Sequence, residues 1–405
     1  MSAPTFPFRN LNHSSMKLFP LLVVLFSAGV ASLAVRAQNQ FFQSGSTGAD
    51  GAFAPTTNNT NVLLPPDGRL NFTTVNIPIG VTVRFIRNAA NTPVYLLATG
   101  AINIAGIIRV DGELGTATTG GRGGPGGFDG GLAGIAGSIP GDGLGPGAGR
   151  GALVSTNSGR GIYGVNLGTN HPALQRRIRP GADGSVYGSQ LLLPLVGGSG
   201  GGGLPGLGGG GGGGAILIAS SLAITNTGAV SARGAGGGDH CGSGGAIRLV
   251  APLIAGTGGL DVGGGSAMEN AGRIRCDLIE RQQFGLTFAP ASAPVTASEA
   301  FMVTFPPNIP SLRLISVAGV PVPPDAPAGF TVTLPFNAPA VQPIVLEASD
   351  FGVEVPVSVR LTPASGNAPP PIPATINNVA AGSAQITVNA TFPPNVPVFV
   401  EAWCR

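Results

Sequence analysis

The sequence predicts an all-β protein in which a short right-handed parallel β-helix, interrupted by a glycine-rich insertion, precedes an immunoglobulin-like (Ig-like) β-sandwich. Three observations predict this fold class. A pattern of short alternating strands punctuated by glycine recurs along the first part of the chain. A glycine-rich block interrupts that pattern, and from about Thr287 onward proline, valine and threonine replace glycine.

The repeats align on one another through two strand-like segments each. The aligned pairs are Val94–Ala98 with Gly106–Gly112, Ala215–Ala219 with Gly228–Gly234, and Ala246–Val250 with Gly258–Gly264. A broken copy begins at Arg273, and a degenerate copy covers residues 75–85. Because stacked coils place like side chains above one another, this spacing indicates a solenoid rather than hairpins, and parallel crossovers favour a right-handed course.

The alignment also predicts which side chains point inward. The predicted inward stacks are Tyr95/Ile216/Ile247/Ile274, Leu97/Ile218/Leu249/Cys276, Ile108/Val230/Leu260 and Val110/Ala232/Val262. A further apolar row, Ile102/Ile224/Ile254, occupies matching places between them. The intervening side chains are expected to point outward, namely Leu96, Leu217, Arg248 and Arg275.

The predicted β-helix domain covers 38–286, and its insertion covers 113–214. The insertion ends in seven consecutive glycines, Gly208–Gly214. Each ordered glycine costs ~0.5–1 kcal/mol more than alanine, which only close backbone packing offsets. We therefore expect a partly mobile insertion that rests against the β-helix.

The C-terminal region, 287–405, reads as short alternating strands separated by Pro, Asn and Gly turns, which predicts an Ig-like sandwich. The expected strands are Ala300–Phe305, Leu312–Val317, Phe330–Leu334, Pro343–Ala348, Val353–Leu361, Ala384–Ala390 and Val396–Trp403. The Cys–Trp–Cys spacing of antibody domains is absent, so the sandwich subtype stays open.

Residues 1–37 have the pattern of an export signal. Arg9 and Lys17 supply a basic start, Leu18–Leu33 is almost wholly apolar, and Val35–Ala37 supplies the small residues of a cleavage site. We therefore expect a signal peptide, a secreted or cell-surface location and no membrane span in the mature chain.

Cleavage would balance the charge of the chain. The sequence has 21 basic and 18 acidic residues, and the signal holds three basic residues and no acid, so 21 − 3 = 18 basic residues remain against 18 acidic ones. A protein with a net charge near zero gains little binding free energy from the release of counterions from DNA or RNA, which argues against nucleic-acid binding. The same balance results whether the chain starts at Met1 or at Met16.

Glycine-rich motifs carry little information in this chain. A phosphate-binding loop needs a lysine, and Lys17 is the only one present. Gly123–Asp129 and Gly234–Asp239 approximate a calcium-binding β-roll repeat but do not recur in tandem, so plain turns are favoured. The sequence predicts no cofactor and no metal site.

The cluster Asp239–Cys241 places a cysteine beside a histidine, an arrangement that can activate a thiolate. An exposed loop between coils is the favoured interpretation, because neighbouring residues of an extended chain point opposite ways. A disulfide between Cys241 and Cys404 is a second alternative, and Cys276 is expected to be a buried thiol.

If the chain is an enzyme, the candidate catalytic residues are Asp261, Asp277 and Arg275. Polysaccharide lyases and hydrolases on β-helices use clustered carboxylates with a basic residue, and this argument rests on fold analogy alone. In the alignment Arg109, Ser231 and Asp261 stack, as do Asp111 and Arg233. A surface ladder of opposite charges is the favoured interpretation of those stacks.

Four stretches resemble secreted, glycine-rich bacterial proteins with β-helix-like repeats. They are Gly124–Gly130, Leu192–Gly201, Gly213–Ala219 and Gly242–Val250, and the likeness extends over roughly residues 48–280. The resemblance implies an exported repeat protein, and it transfers no catalytic residue to this chain.

Three functions compete at this point. The first is an exported, non-enzymatic surface or extracellular-matrix protein of adhesin-like or structural character. The second is a β-helix polysaccharide lyase or hydrolase, and the third is a non-catalytic carbohydrate-binding protein, although the chain has only one Trp and three Tyr. Expected partners are extracellular polysaccharide or a second copy, because the open ends of a parallel stack expose strand edges.

Overall fold

The computed structural model describes residues 42–134, 138–153, 158–164, 184, 186–265, 270–281, 283–299, 302–306, 310–323, 329–380 and 382–404. The predicted export signal, residues 1–37, lies outside these residues. Residues 41–405 form one compact unit. The described part is all-β, with parallel and antiparallel sheets and a single 3-10 turn at Gly238–His240, so the all-β part of the predicted fold is confirmed.

The first strands pair only in parallel. In chain order they are β1 (Ala52–Phe53), β2 (Thr60–Leu63), β3 (Arg69–Phe72), β4 (Thr74–Ile77), β5 (Thr82–Ile86), β6 (Val94–Ala98), β7 (Ile102–Ile104), β8 (Ile107–Arg109), β9 (Ala215–Ser220), β10 (Ala223–Asn226), β11 (Ala229–Ser231), β12 (Ala246–Val250), β13 (Leu253–Ala255), β14 (Gly259–Asp261), β15 (Arg273–Asp277), β16 (Thr287–Ala289) and β17 (Val295–Ser298). The chain visits three sheets in turn. Sheet A has the order β1-β4-β7-β10-β13, sheet B β16-β14-β11-β8-β5-β2 and sheet C β17-β15-β12-β9-β6-β3.

These sheets begin earlier and end later than the repeat pattern indicates. The strands β1, β2 and β3 precede the degenerate copy at residues 75–85. Parallel pairing also continues past residue 286, because β16 pairs with β14 and β17 pairs with β15. The change in composition at Thr287 and the end of parallel pairing therefore do not coincide.

The sheets share one apolar core, and most of the predicted rows are correct. Ile216, Ile247 and Ile274 stand opposite one another in sheet C. The other confirmed rows are Ile218/Leu249/Cys276, Ile108/Val230/Leu260 and Ile102/Ile224/Ile254. Their side chains are buried in a single cluster, as stacked rows require.

One register prediction is wrong. Val94, not Tyr95, pairs with Ile216, and Leu96, not Leu97, pairs with Ile218. Because side chains alternate along a strand, this shift of one residue moves Leu96 into the core and Leu97 to the outer face of sheet C.

The outer face of sheet C is covered instead of exposed. Every residue of β9 and β12 is buried. Leu97, Leu217 and Val250 on this face pack in a second apolar cluster. The covering side chains come from the insertion and from both flanks of the sheets, and they include Phe42, Tyr163, Leu192, Leu195, Met302 and Phe305.

The glycine-rich insertion pairs through its backbone with the loops that connect sheet B to sheet C. In the run Gly208–Gly214 every third N–H group donates to the same neighbouring segment. This repeat of three residues is expected for polyproline-II geometry. The N–H groups of Gly208, Gly211 and Gly214 donate to the carbonyls of Thr116, Glu113 and Val110; those of Gly209 and Gly212 donate to Gly131 and Phe128; those of Gly210 and Gly213 donate to His240 and Ser243.

We name the paired segments 110–134, 138–153, 158–164, 196–214, 232–245 and 262–272, as far as they are described, the glycine bundle. A Cβ atom on Gly210, Gly211 or Gly212 would overlap the carbonyl oxygen of a neighbouring segment. The run is therefore held by the close backbone packing that an ordered glycine segment requires. Partial mobility of the insertion stays a prediction.

The C-terminal strands pair antiparallel. They are β18 (Ser311–Val317), β19 (Val320–Pro321), β20 (Gly329–Thr333), β21 (Val341–Ser349), β22 (Glu354–Pro363), β23 (Ile372–Asn377), β24 (Ser383–Thr391) and β25 (Pro397–Cys404). Sheet D has the order β19-β18-β21-β24 and sheet E the order β20-β25-β22-β23. Apolar side chains from both sheets, such as Ile344 and Val359, share one core.

Most of the strands expected in this region exist, with two differences. The expected strand Ala300–Phe305 does not form over its described residues 302–305, which instead contribute to the outer cluster on sheet C. The strands β19 and β23 were not expected from the sequence. In β23 the proline at position 373 weakens the strand signal.

The glycine bundle predicts a sharp difference between two glycine positions. In Gly212→Ala the methyl group meets the carbonyl oxygen of Gly198, whereas Gly237→Ala places it in open space. We expect Gly212→Ala to lower the free energy of unfolding by about 1–3 kcal/mol, a range typical of overpacking. Chemical denaturation should show no comparable loss for Gly237→Ala. Equal losses at the two positions would contradict the backbone pairing described here.

Candidate functional site

The three candidate catalytic residues do not converge. Asp261 ends β14 in sheet B, whereas Arg275 and Asp277 lie on β15 in sheet C. The structure therefore brings Arg275 and Asp277 together and leaves Asp261 on a different sheet. Each position is best understood from its own surroundings.

Arg275 and Asp277 belong to a buried ion-pair cluster with Arg248. The Nε and Nη2 atoms of Arg248 each donate to Oδ2 of Asp277 at 3.0 Å. Arg275 donates from Nε to the same oxygen at 3.0 Å, and its Nη2 lies 2.6 Å from Oδ1 of Asp277. The Arg248 and Asp277 side chains are fully buried and that of Arg275 is 4% exposed.

This cluster connects sheet C to the segments that cover it. Arg248 also donates to the carbonyl of Val303 at 2.7 Å, and Arg275 donates to the carbonyl of Gln190 at 3.4 Å. Burial lowers the pKa of Arg248, and the attraction of Asp277 opposes that shift. An arrangement without solvent access holds chain segments together but offers no surface for a polymer substrate.

A tyrosine pair lies on the same covered face. The rings of Tyr163 and Tyr187 are 4.6 Å apart, and the guanidinium of Arg273 lies 5.7 Å from the Tyr163 ring. The Tyr187 hydroxyl donates to the carbonyl of Gly197 at 2.6 Å and accepts from Ser199 Oγ at 2.9 Å. Burial raises the pKa of both tyrosines, so both stay protonated.

On sheet B the predicted charge row is present. Arg109, Ser231 and Asp261 stand opposite one another. Asp111 accepts hydrogen bonds from Oγ of Ser231 at 2.5 Å and from the backbone N–H of Arg233 at 2.8 Å. The guanidinium of Arg233 turns to Asp261 at 3.5 Å. The predicted ladder of charges is therefore present on this sheet and is partly exposed. Asp111 contacts the backbone of Arg233 and not its guanidinium group.

Arg84 and Arg109 form an uncompensated pair in the same row. The two residues are direct neighbours on β5 and β8, and both are exposed. Neither guanidinium forms a hydrogen bond or an ion pair with any residue that the structure describes. Like charges directly opposite in a sheet are unfavourable, so this pair is a local concentration of positive charge on an outer surface.

A third group of charges joins the glycine bundle to sheet E. Asp142 is fully buried and accepts from Gly151 N at 2.8 Å, Ala368 N at 2.9 Å and Asn367 Nδ2 at 2.8 Å. Arg360 lies 3.3 Å from the same carboxylate. Sequence reasoning missed this contact, because its partners lie more than two hundred residues apart in the chain.

Glu401 lies beside this group, and the pKa of its carboxyl group is strongly raised. Its Oε2 accepts the N–H of Gly145 at 3.0 Å, and Arg360 is its neighbour across the sheet. Burial raises the pKa of Glu401 to about 7, and the nearby Arg360 and the Gly145 N–H only partly oppose this. A charged residue in the apolar strand Pro397–Cys404 was the available sequence signal.

The three cysteines lie in different surroundings. Cys241 is buried, and Nδ2 of Asn270 lies 3.4 Å from its Sγ. Cys404 is exposed and forms no disulfide with Cys241, so the alternative of a Cys241–Cys404 disulfide is wrong. Cys276 is buried in the core as expected, and burial raises its pKa to about 12.

The Asp239–Cys241 cluster does not expose its thiol. Gly238–His240 forms the 3-10 turn, in which none of the residues is buried, while Cys241 after it is fully buried. Partial burial of its ring lowers the pKa of His240, and Asp239 acts in the opposite direction. A buried thiol beside a largely neutral imidazole is not an activated thiolate.

Comparisons with known proteins add no further constraint. The chain matches no protein-family model, and no curated protein or solved structure is detectably similar to it. Over the described residues, no group of three or more His, Cys, Asp or Glu side chains is placed to bind a metal ion. The described part also contains no helix long and apolar enough to cross a membrane.

The buried ion pairs predict unequal roles for the two candidate aspartates. Asp277→Asn leaves two buried guanidinium groups without their carboxylate, so we expect a loss of about 3–5 kcal/mol in the free energy of unfolding. Asp261→Asn removes a partly exposed pair and should cost about 1 kcal/mol or less. Denaturant titrations of both variants measure the difference, and a small effect of Asp277→Asn would contradict the structural role.

Glu401 predicts a pH dependence of stability. Its folded pKa of about 7 exceeds the ordinary 4.5, so between these values the folded state holds a proton that the unfolded state has lost. The stabilisation from protonated Glu401 is therefore complete below pH 4.5 and lost as the pH rises to 7, on the order of 3 kcal/mol.

Glu401→Gln keeps the neutral form at every pH. The free energy of unfolding of this variant should approach that of the wild type near pH 4.5 and exceed it above pH 7. Glu347→Gln, at a partly exposed position of sheet D, is the matched control and should show no such trend. A difference between Glu401→Gln and wild type that stays constant from acid to neutral pH would refute the prediction.

Proposed function

We propose that this protein is an exported, non-enzymatic structural protein of the cell surface or extracellular matrix. In this proposal sheets A, B and C are the walls of a right-handed parallel β-helix, and sheets D and E form an Ig-like sandwich. The order in which the chain visits the three parallel sheets supports the β-helix. The shared core of two antiparallel sheets supports the sandwich.

One observation carries the functional part of the proposal. Two of the three candidate catalytic side chains, Arg275 and Asp277, are held in a buried ion-pair cluster with Arg248 of the neighbouring strand. Asp142 and Arg360 likewise connect the glycine bundle to sheet E. Charges used in this way favour a rigid scaffold over a substrate groove.

The glycine bundle supports the same conclusion. Its segments are bonded to neighbours on several sides, and side chains are absent where those neighbours approach. Export remains part of the proposal because the signal-like segment 1–37 carries it.

A second candidate function is the binding of acidic polysaccharide without catalysis. The exposed pair Arg84 and Arg109 favours it, since two adjacent guanidinium groups suit a carboxylate or sulfate on a repeating polymer. The lyase or hydrolase alternative gains no comparable support, because Asp261 is separated from Arg275 and Asp277.

A panel of acidic and neutral polysaccharides tests these alternatives. We expect no reducing ends and no unsaturated products from any member, with or without calcium. Turnover that is abolished by Asp261→Asn would overturn the non-enzymatic proposal. Loss of turnover in Asp277→Asn would be uninformative without the folding measurement described above.

The same panel measures binding. If the second candidate is correct, polygalacturonate should bind and neutral dextran should not, and Arg84→Ala with Arg109→Ala should weaken binding at least about tenfold. Arg313→Ala is the matched control, because this exposed arginine stands opposite Glu347. Equal binding of the double variant and the wild type would exclude the Arg84–Arg109 pair as the site.

A further inference from the structure

The strand β24 is an open edge of sheet D. Over the described residues its backbone pairs with β21 and with no other strand. It is nine residues long, and its sequence SAQITVNAT contains no proline, no glycine and no charged residue. Side chains alternate between exposed and at least partly buried along its whole length. An edge with these properties is ready to accept another strand.

The other edges of the two antiparallel sheets are less suited to pairing. The edge strand β19 has two residues and contains Pro321, and β23 contains Pro373. The edge strand β20 has five residues and begins with Gly329. Short length, proline and glycine all weaken strand addition, so β24 is the most receptive edge of the sandwich.

The residues of β24 whose backbone faces the open side follow from the pairing of Pro343. Its carbonyl accepts the N–H of Ala318, so its backbone faces away from β24, although Pro343 stands opposite Asn389. In an antiparallel ladder such residues alternate with those that bond the partner strand. The N–H and C=O groups of Asn389 therefore face the open edge, as do those of Ser383, Gln385, Thr387 and Thr391.

The sequence of β24 is symmetric in chemical type about Thr387. Reading outward from Thr387, Ile386 corresponds to Val388 and Gln385 to Asn389; Ala384 then corresponds to Ala390 and Ser383 to Thr391. In an antiparallel pair of two β24 strands centred on Thr387, each residue would meet a side chain of its own chemical kind. Threonine pairs and amide pairs are favourable across strands, and no like charges oppose one another.

We infer that β24 is a self-association edge, at which a second copy of this chain adds its own β24 antiparallel about a two-fold axis through Thr387. The edge-facing backbone groups of the two copies then bond one another, and the two four-stranded sheets D become continuous. The partner also covers Ile386, which is only partly buried in one copy. A two-fold contact of this kind is isologous and closes after two copies.

This interface is independent of the proposed function. It also differs from association through the open ends of the parallel sheets, where β1, β2 and β3 lie. Of these strands β3 is partly protected, because Asp50 and Asp67 accept the backbone N–H groups of Asn71 and Arg69. Charge substitutions at Thr387 distinguish the two modes, because Thr387 lies in β24 and not at the ends of the parallel sheets.

The two-fold axis makes Thr387 the one position of β24 that faces its own copy, which permits a charge test of the register. The purified protein should sediment as a dimer at micromolar concentration. Thr387→Lys and Thr387→Glu each place like charges together, so each variant should dimerise at least tenfold more weakly. An equimolar mixture of the two should recover the dimer, because opposite charges then meet at the axis.

Thr331→Lys is the matched control, since Thr331 is an exposed threonine on the edge strand β20. This variant should dimerise like the wild type, and circular dichroism should show that all variants are folded. A monomeric wild type would overturn the proposal. It would also be overturned by a dimer that survives Thr387→Lys, or by a mixture of the two charge variants that stays monomeric.

Discussion

Backbone hydrogen bonds between glycine segments hold together the connections between sheets B and C. Each turn of the Gly208–Gly214 run presents N–H groups in three directions, and neighbouring segments accept them in each direction. Neighbours on all sides leave no room for a Cβ atom. Most of the hydrogen bonds that order the insertion are therefore between peptide groups, and a few side chains, such as that of Asn270, add to them within the bundle.

The buried charges depend on that arrangement. Sheet C becomes inaccessible because the insertion and residues 302–306 lie over it, and only then are Arg248 and Asp277 fully buried. In the same way Asp142 is buried where the glycine bundle contacts sheet E, beside Arg360 and Glu401. A buried charge without its partner is strongly destabilising, so only the correct contact between these segments is favourable. The ion pairs therefore contribute more to the specificity of the contact than to the free energy of folding.

Much of the parallel region could be predicted, because the sequences of β9, β12 and β15 align on one another and glycines precede β9 and β12 at matching places. The register of β6 could not, since Val94–Ala98 is apolar at every position and offers no alternation to read. The neighbouring strand β9 is also apolar on both faces, because both of its faces are covered. The sequence correctly placed Arg248 and Arg275 on the outer face of sheet C, but it did not show that other segments cover this face and bury both side chains.

The glycine bundle and the Asp142 contact were beyond sequence reasoning for different reasons. All glycines carry the same side-chain information, so nothing in the run indicates which carbonyl each N–H will find. The carboxylate of Asp142 and the guanidinium of Arg360 are brought together only after both regions have folded. Glu401 did leave a signal, as a charge within an otherwise apolar strand, but its partner on the glycine bundle did not.

The close approach of the glycine segments also has an evolutionary consequence. In the apolar rows of the sheets, exchanges among Ile, Leu and Val change volume only slightly and are tolerated. In the bundle every replacement adds at least one carbon, and no residue is smaller than glycine. Descendants of this chain should therefore diverge fastest in the core rows and the exposed loops. The segments of lowest apparent sequence complexity should change most slowly.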